Sequence, residues 1–125
     1  MLYVEDGVIS ITQNDDVTLE VNLETAAGED YVLDAEDTLT LSVREYPSKD
    51  SPLLLSVTSA PGSNMIVLHG TDTVNIAPGM YSYDVQINFA DGTRYTVLPD
   101  NLTSGIRATA KNWKNFCVMG EVTIP

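Results

Sequence analysis

The sequence predicts an all-β protein, an antiparallel immunoglobulin-like β-sandwich of seven to eight short strands forming one domain over residues 1–125. Three observations carry this. Apolar and polar residues alternate with period two in several short runs, turn residues recur about every ten positions, and only one stretch, Asp100 to Asn115, has room for more than a turn of helix.

Taken in order, Val8 to Gln13 is a short β-prone run closed by an Asn14-Asp15-Asp16 turn. Val17, Leu19, Val21 and Leu23 then alternate with Thr18, Glu20, Asn22 and Glu24, giving one apolar face and one polar, acidic face. Ala26 to Asp30 turns the chain, and Tyr31-Val32-Leu33 is a brief edge segment. Leu39, Leu41 and Val43 alternate with Thr38, Thr40, Ser42 and Arg44 in the next strand. Pro47 to Pro52 is a loop, because two prolines cannot sustain a central ladder. In the strand that follows, Leu53, Leu55 and Val57 face one way. Ala60 to Asn64 is a turn leading to Met65–His69, and Thr71 or Asp72 is placed to cap one helical turn crossing between sheets.

Ile76 to Leu98 reads as a complete hairpin. Tyr81, Tyr83, Val85, Ile87 and Phe89 alternate with Met80, Ser82, Asp84, Gln86 and Asn88. Asp91-Gly92 supplies residues that tolerate positive φ, and Tyr95 and Val97 resume the alternation. The segment Ala77 to Tyr83 has the form of a tyrosine corner, with Tyr81 bonding back to the preceding loop and Tyr83 where antibody domains place a cysteine. The expected core shared by two sheets is Tyr81, Tyr83, Val85, Ile87, Leu19, Val21, Leu41 and Val43.

Asp100 to Asn115 departs from this grammar and reads as an insertion or projecting loop. It holds Arg107, Lys111 and Lys114, half of the six basic residues, against one acid. Ile106, Ala110 and Trp113 are spaced for a short amphipathic helix, whereas Thr103, Ser104, Gly105 and Thr109 equally suit an irregular excursion. Ile106, Arg107, Lys111, Trp113 and Lys114 form a candidate partner contact, since Arg and Trp dominate interface energetics once desolvated. They would dock on the acidic face of Glu20, Asn22 and Glu24 in another copy, or on a different protein. Alternatively, Trp113 folds back over an open end of the sandwich. Phe116, Val118, Val122 and Ile124 form a closing strand, with Gly120 permitting a bulge.

Composition narrows the function classes. Eighteen acidic against six basic residues give a net charge of −12, which repels nucleic-acid phosphates. No apolar run approaches the ~20 residues of a membrane helix, and the N-terminus has acids where a secretory signal carries bases. Nucleic-acid and membrane partners are therefore not expected. Cys117 is the only cysteine, which excludes an internal disulfide and suits a buried, inert thiol. His69, the only histidine, caps a strand end. The pairs Asp15-Asp16, Glu29-Asp30 and Glu36-Asp37 read as solvated turns, because adjacent carboxylates match neither a calcium loop nor a glycosidase pair. Asn101-Leu102-Thr103 fits the glycosylation pattern without an accompanying secretion signal. No catalytic set, cofactor site or metal site is expected, and the chain does not read as an enzyme.

The ordered series ITQNDDVTLEVNLETAAGEDYVL, DTLTLSVREYPSKDSPLL and IAPGMYSYDVQINFADGTRYTVLP resembles the N-terminal domain of phage baseplate upper proteins and related small tail proteins of phages and prophages of Gram-positive bacteria. In that family a strand opening ITQGD, an LTVR strand with a charged, Pro-containing loop, and a PGxYxYDVQ strand with an Asp-Gly turn recur in this order. The resemblance covers about Val8 to Pro99, and Phe116 to Ile124 fits the closing strand. Asn14 stands where a turn glycine is more usual, and Asp100 to Asn115 is extra. The resemblance implies a non-enzymatic structural protein of a virion, in the tail or baseplate, made in the bacterial cytoplasm. Its partners would be other virion proteins or copies of itself in a homo-oligomer. The residues alone leave a second class open, a bacterial cell-surface or secreted immunoglobulin-like adhesion or carbohydrate-binding module. An exposed aromatic row or a bound calcium ion would mark it.

Overall fold

A computed structural model describes residues 2–5, 8–98, 106–108 and 115–120, with the backbone alone at 2–5 and 107. The elements are β1 (Leu2–Glu5), β2 (Val8–Thr12), β3 (Val17–Glu20), β4 (Leu23–Thr25), β5 (Asp30–Tyr31), β6 (Thr38–Arg44), β7 (Leu53–Thr58), β8 (Met65–Leu68), α1 (Gly70–Thr73), β9 (Gly79–Asn88), β10 (Arg94–Leu98), β11 (Ile106–Ala108) and β12 (Asn115–Met119). The chain is an all-β, immunoglobulin-like sandwich.

The large sheet runs β1-β2-β12-β9-β6-β7. One edge of β9 pairs antiparallel with β6, from Ile87 opposite Leu39 to Ser82 opposite Arg44. Its other edge is shared, with β10 taking Val85 to Asn88 and β12 taking Gly79 to Tyr81. All the strand pairs are antiparallel except β2 and β12, which run parallel. Opposite this sheet lie β3 paired with β8 and the small sheet β11-β4-β5. The β3–β8 pair facing β12-β9-β6 is the B–E against G–F–C arrangement of immunoglobulin domains.

The strands form where the alternation requires them. Along β6, Leu39, Leu41 and Val43 are wholly buried while Thr38, Thr40, Ser42 and Arg44 are partly exposed. Val85 and Ile87 on β9, Leu19 and Val21 on the β3 path, and Phe116 and Val118 on β12 meet them in one core. Tyr83 joins this core, whereas Tyr81 is half-buried at its rim. Asn14 has φ of 68°, the left-handed conformation that asparagine tolerates better than other side-chain-bearing residues. It therefore lets the β2–β3 turn form without a glycine. Between β9 and β10, Gly92 alone takes positive φ, at 92°. Phe89 N–H donates to Thr93 C=O at 2.8 Å and Gly92 N–H to Phe89 C=O at 3.0 Å, which makes this a three-residue loop rather than a two-residue one.

Several expectations need correction. Among the described residues there are twelve strands, not seven or eight, because β1 adds to the edge, β11 forms in the late segment, and the long acidic-faced strand breaks at Val21-Asn22 into β3 and β4. The break keeps one ladder bond, from Val21 N–H to Asn64 C=O at 2.9 Å. Leu53 is 50% exposed, because a register shift at Val43/Arg44 takes it out of phase with Leu55. Cys117 is only half-buried, since its neighbours Phe116 and Val118 take the core face of β12. Asp37 is buried, not solvated, and its carboxylate accepts the Asp34 N–H at 3.3 Å to close the turn before β6. The only helix among the described residues is α1, and Ile106–Ala108 of the late segment is strand. The expected strand positions Val122 and Ile124 lie outside the described residues.

Replacing Val85, wholly buried, by Ala should cost about 1 to 3 kcal/mol through lost burial and a residual cavity. Gln86→Ala, on the outer face, should stay within about 0.5 kcal/mol of the parent. Urea denaturation measures both, and equal losses would mean that the inward phase of β9 is misassigned.

Candidate functional site

The densest polar network ties the β2–β3 turn to α1 and to the start of β9. Gln13 Nε2 donates to Ile76 C=O at 2.7 Å, Asn14 N–H to Thr73 Oγ1 at 3.1 Å, and Gly70 N–H to Asp16 Oδ1 at 2.7 Å. His69 is the N-cap residue of α1, and its N–H donates to Asp72 Oδ2 at 2.8 Å. The cap is thus His69, with Asp72 reaching back to it, rather than Thr71 or Asp72. A Cβ on Gly70 would run into the Asn14 carbonyl oxygen, so only glycine lets the two segments approach this closely. Both carboxylates here accept backbone N–H groups, a structural use. Tyr81 Oη donates to Ala77 C=O, the bond that defines a tyrosine corner.

Two residues on, Tyr83 turns into the core with its ring edge-on to Phe116, centroids 6.2 Å apart. Its hydroxyl is buried and has no hydrogen-bond partner among the described residues. Burial pushes its phenol well above the ordinary tyrosine range, so it stays protonated.

The outer face of β7-β6-β9 is built of hydroxyls and amides. Asn88 Nδ2 donates to Thr38 Oγ1 at 3.1 Å and Thr40 Oγ1 at 2.9 Å, and the Thr40 and Thr58 hydroxyls share a bond at 2.9 Å. Toward one end, the loop after β6 overhangs a cleft of about 390 Å³ with Arg44, Tyr46, Lys49, Asp84 and Gln86 among its lining. Buried Ser51 shapes this loop by accepting the Tyr46 N–H at 2.9 Å through Oγ and the Arg44 guanidinium at 2.8 Å through its carbonyl. Burial raises the Asp84 carboxyl above its ordinary value, only partly countered by Arg44. The cleft mixes polar groups with the apolar surface of Tyr46, Pro47 and Tyr83, and holds one cation of β6, one of the loop and one half-buried acid.

The late segment divides. Ile106 packs half-buried against the core and Ala108 is buried, while β11 pairs antiparallel with β4 so that Arg107 sits opposite Glu24. Ile106–Ala108, two of whose residues were expected in a partner contact, thus lies along β4 of the same chain. Lys111, Trp113 and Lys114 lie outside the described residues, as does the pattern Asn101-Leu102-Thr103. Among the described residues, no three His, Cys, Asp or Glu side chains come together to hold a metal ion. The fold and these surfaces define an immunoglobulin-like β-sandwich domain with a polar sheet face and a strand excursion from β9's shared edge. Set against known proteins, the chain matches no family model and no curated sequence.

Two outcomes follow. Tyr81→Phe should lose about 1 kcal/mol, the worth of one hydrogen bond, whereas Tyr83→Phe removes an unpaired buried hydroxyl and should gain about 1 kcal/mol. Denaturant midpoints of opposite sign are the check. For Asp84, a raised folded-state value means that the native state binds its proton more tightly than the unfolded chain. That stabilisation is complete below the ordinary value of 3.8 and is lost as pH rises through the folded-state value. Asp84→Asn should therefore melt higher than the parent at neutral pH, and the gap should close as pH falls through the carboxylate range. A gap independent of pH would contradict this.

Proposed function

We propose that the protein is a non-enzymatic structural component of a phage or prophage virion, of the tail or baseplate, acting through protein–protein contacts. The observation that carries this reading is the ordered motif series. Its first member spans the β2–β3 turn, where Asn14, at φ of 68°, stands where the resembled family more usually has a turn glycine. Its second is β6 with the overhanging loop, and its third is the tyrosine corner and the β9–β10 hairpin. Each motif occupies a position that shapes a turn or a strand register, so the series describes a shared scaffold. On this reading the domain is an assembly module rather than a host-binding tip.

The adhesion or carbohydrate-binding alternative is marked by a row of exposed aromatic rings. The exposed aromatics among the described residues are Tyr46, in the loop after β6, and Tyr95 on β10, where it packs edge-on to Phe89. These two stand on separate elements, and nothing favours the alternative over the virion reading.

Antibody raised against the domain should label the tail end of particles grown on, or induced from, the source bacterium. Mass spectrometry of the gradient-purified particles should also recover the chain. Its absence from purified particles would overturn the proposal, as would neighbouring genes that encode cell-wall anchoring instead of tail assembly.

A further inference from the structure

The free flank of the sandwich is sparsely charged: its groove has one carboxylate in the lining, Asp72, and that accepts the His69 N–H. Among the described residues β7 ends the large sheet with β6 as its sole partner, and β8 is paired to β3 alone. The chain passes directly from β7 to β8, whereas constant-type immunoglobulin domains carry a further strand, D, on the edge that β8 leaves open. A groove of about 540 Å³ separates the two edges, with Ser56, Val57, Thr58, Met65, Val67 and His69 among its lining. In a chain with 18 acidic and 6 basic residues, Ser51 through Thr71 contain none, and this interval holds both strands and their connecting turn.

The two edges differ in what they leave open. On β8, the bond from Val21 N–H to Asn64 C=O sets the phase, so Ile66 and Leu68 turn their peptide groups to β3 while Met65, Val67 and His69 turn theirs to the groove. Both ends of that edge are closed from within, by Met65 N–H donating to Ser63 Oγ at 3.1 Å and His69 N–H to Asp72 Oδ2 at 2.8 Å. On β7, the bond from Ser59 N–H to Leu39 C=O at 2.8 Å turns the Leu55 and Val57 peptides to β6 and those of Ser56 and Thr58 outward. Among the described residues no side chain caps these outward groups. Natural edges are blunted by charge, proline or a bulge that twists them away; β7 has neither charge nor proline between Leu53 and Thr58, and its one irregularity, the extra residue Leu54, lies at the end before the outward groups of Ser56 and Thr58.

We propose that β7 pairs antiparallel with β7 of a second copy across a two-fold axis, joining two sandwiches through one continuous sheet. The charge distribution selects this occupant. An antiparallel pair places the loop bearing Glu45, Lys49 and Asp50 in each copy opposite the uncharged 59–64 turn of the other. Strands then reach their usual spacing of about 4.8 Å without setting carboxylate against carboxylate. Over the rest of its surface a chain of net charge −12 repels its own copy. Met65 and Val67, 45% and 44% exposed, come to lie beneath the joint where the two grooves meet and add apolar burial to the peptide bonds. The contact is isologous and closes at two. It concerns this chain alone and stands whether or not the virion reading does.

Molar mass of the full chain, measured by sedimentation equilibrium over a wide concentration range, tests the pairing. The parent should reach twice the monomer mass. Ser56→Pro removes an outward N–H that has no use in the monomer, and Val67→Lys puts a charge under the joint; both should be monomeric with the parent's circular dichroism. If Ser56→Pro fails to fold, Val67→Lys decides. Trp113→Ala, in the late segment, should remain dimeric. A parent that is monomeric throughout would overturn the proposal. So would a dimer that survives in folded Ser56→Pro or Val67→Lys, or one that is lost in folded Trp113→Ala.

Discussion

The sandwich is registered against β9. One face of this strand is apolar and the other carries Ser82, Asp84 and Gln86, so a slip of one residue would bury a carboxylate and expose Tyr83, Val85 and Ile87. The penalty for that slip fixes the phase of every partner, with β6 along one edge and β10 and β12 along the other. Its ends are pinned separately. The Tyr81–Ala77 bond sets where the strand begins, and positive φ at Gly92 sets where it turns. The network around Asn14, Gly70 and Thr73 holds α1 against the β2–β3 turn, which brings the chain to that starting point from the opposite sheet.

What the sequence disclosed follows from the same logic. β3, β6 and β9 each have a clean alternation that serves a single purpose, burying one face, and a period of two states this locally. The tyrosine corner was legible because its residues lie within a few positions of one another. Asn14 marked its own turn, since asparagine is the side-chain-bearing residue that accepts left-handed backbone most readily. The long-range facts were harder to see. The parallel pairing of β2 with β12 joins Val8–Thr12 to Asn115–Met119, and no local pattern encodes a partner so distant. Leu53 had the right residue type and spacing, but the extra residue Leu54, where β7 pairs Leu55 and Leu53 with the adjacent Val43 and Arg44, undid it. Cys117 lay in an apolar run that concealed its alternation.

The late segment shows how composition misleads about position. Three cations and a tryptophan in an acidic chain read as a projection waiting for a partner. Yet Ile106 and Ala108 obey a period of two, not the helical spacing taken from Ile106, Ala110 and Trp113, and β11 settles on β4 with Arg107 opposite Glu24. The register of β11 on β4 thus sets one basic position opposite one acidic position within the same chain. Cross-strand opposition of unlike charges is the ordinary way for a sheet to choose its neighbour.

Where such a domain makes contacts depends on which of its polar groups are already spoken for. The broad face of β6 and β9 is the largest polar surface, but Asn88, Thr38, Thr40 and Thr58 bond to one another across it, so a ligand there would have to displace protein bonds as well as water. Unused hydrogen-bonding capacity lies instead at the strand edges. Edges accept another backbone without regard to side-chain identity, so the surrounding charge has to decide what comes near. A net charge of −12 spread over most of the chain and absent from Ser51 through Thr71 makes that decision by exclusion. Ser51 through Thr71 is the longest interval of the chain without Asp, Glu, Lys or Arg, and it contains β7, whose outward peptide groups are open.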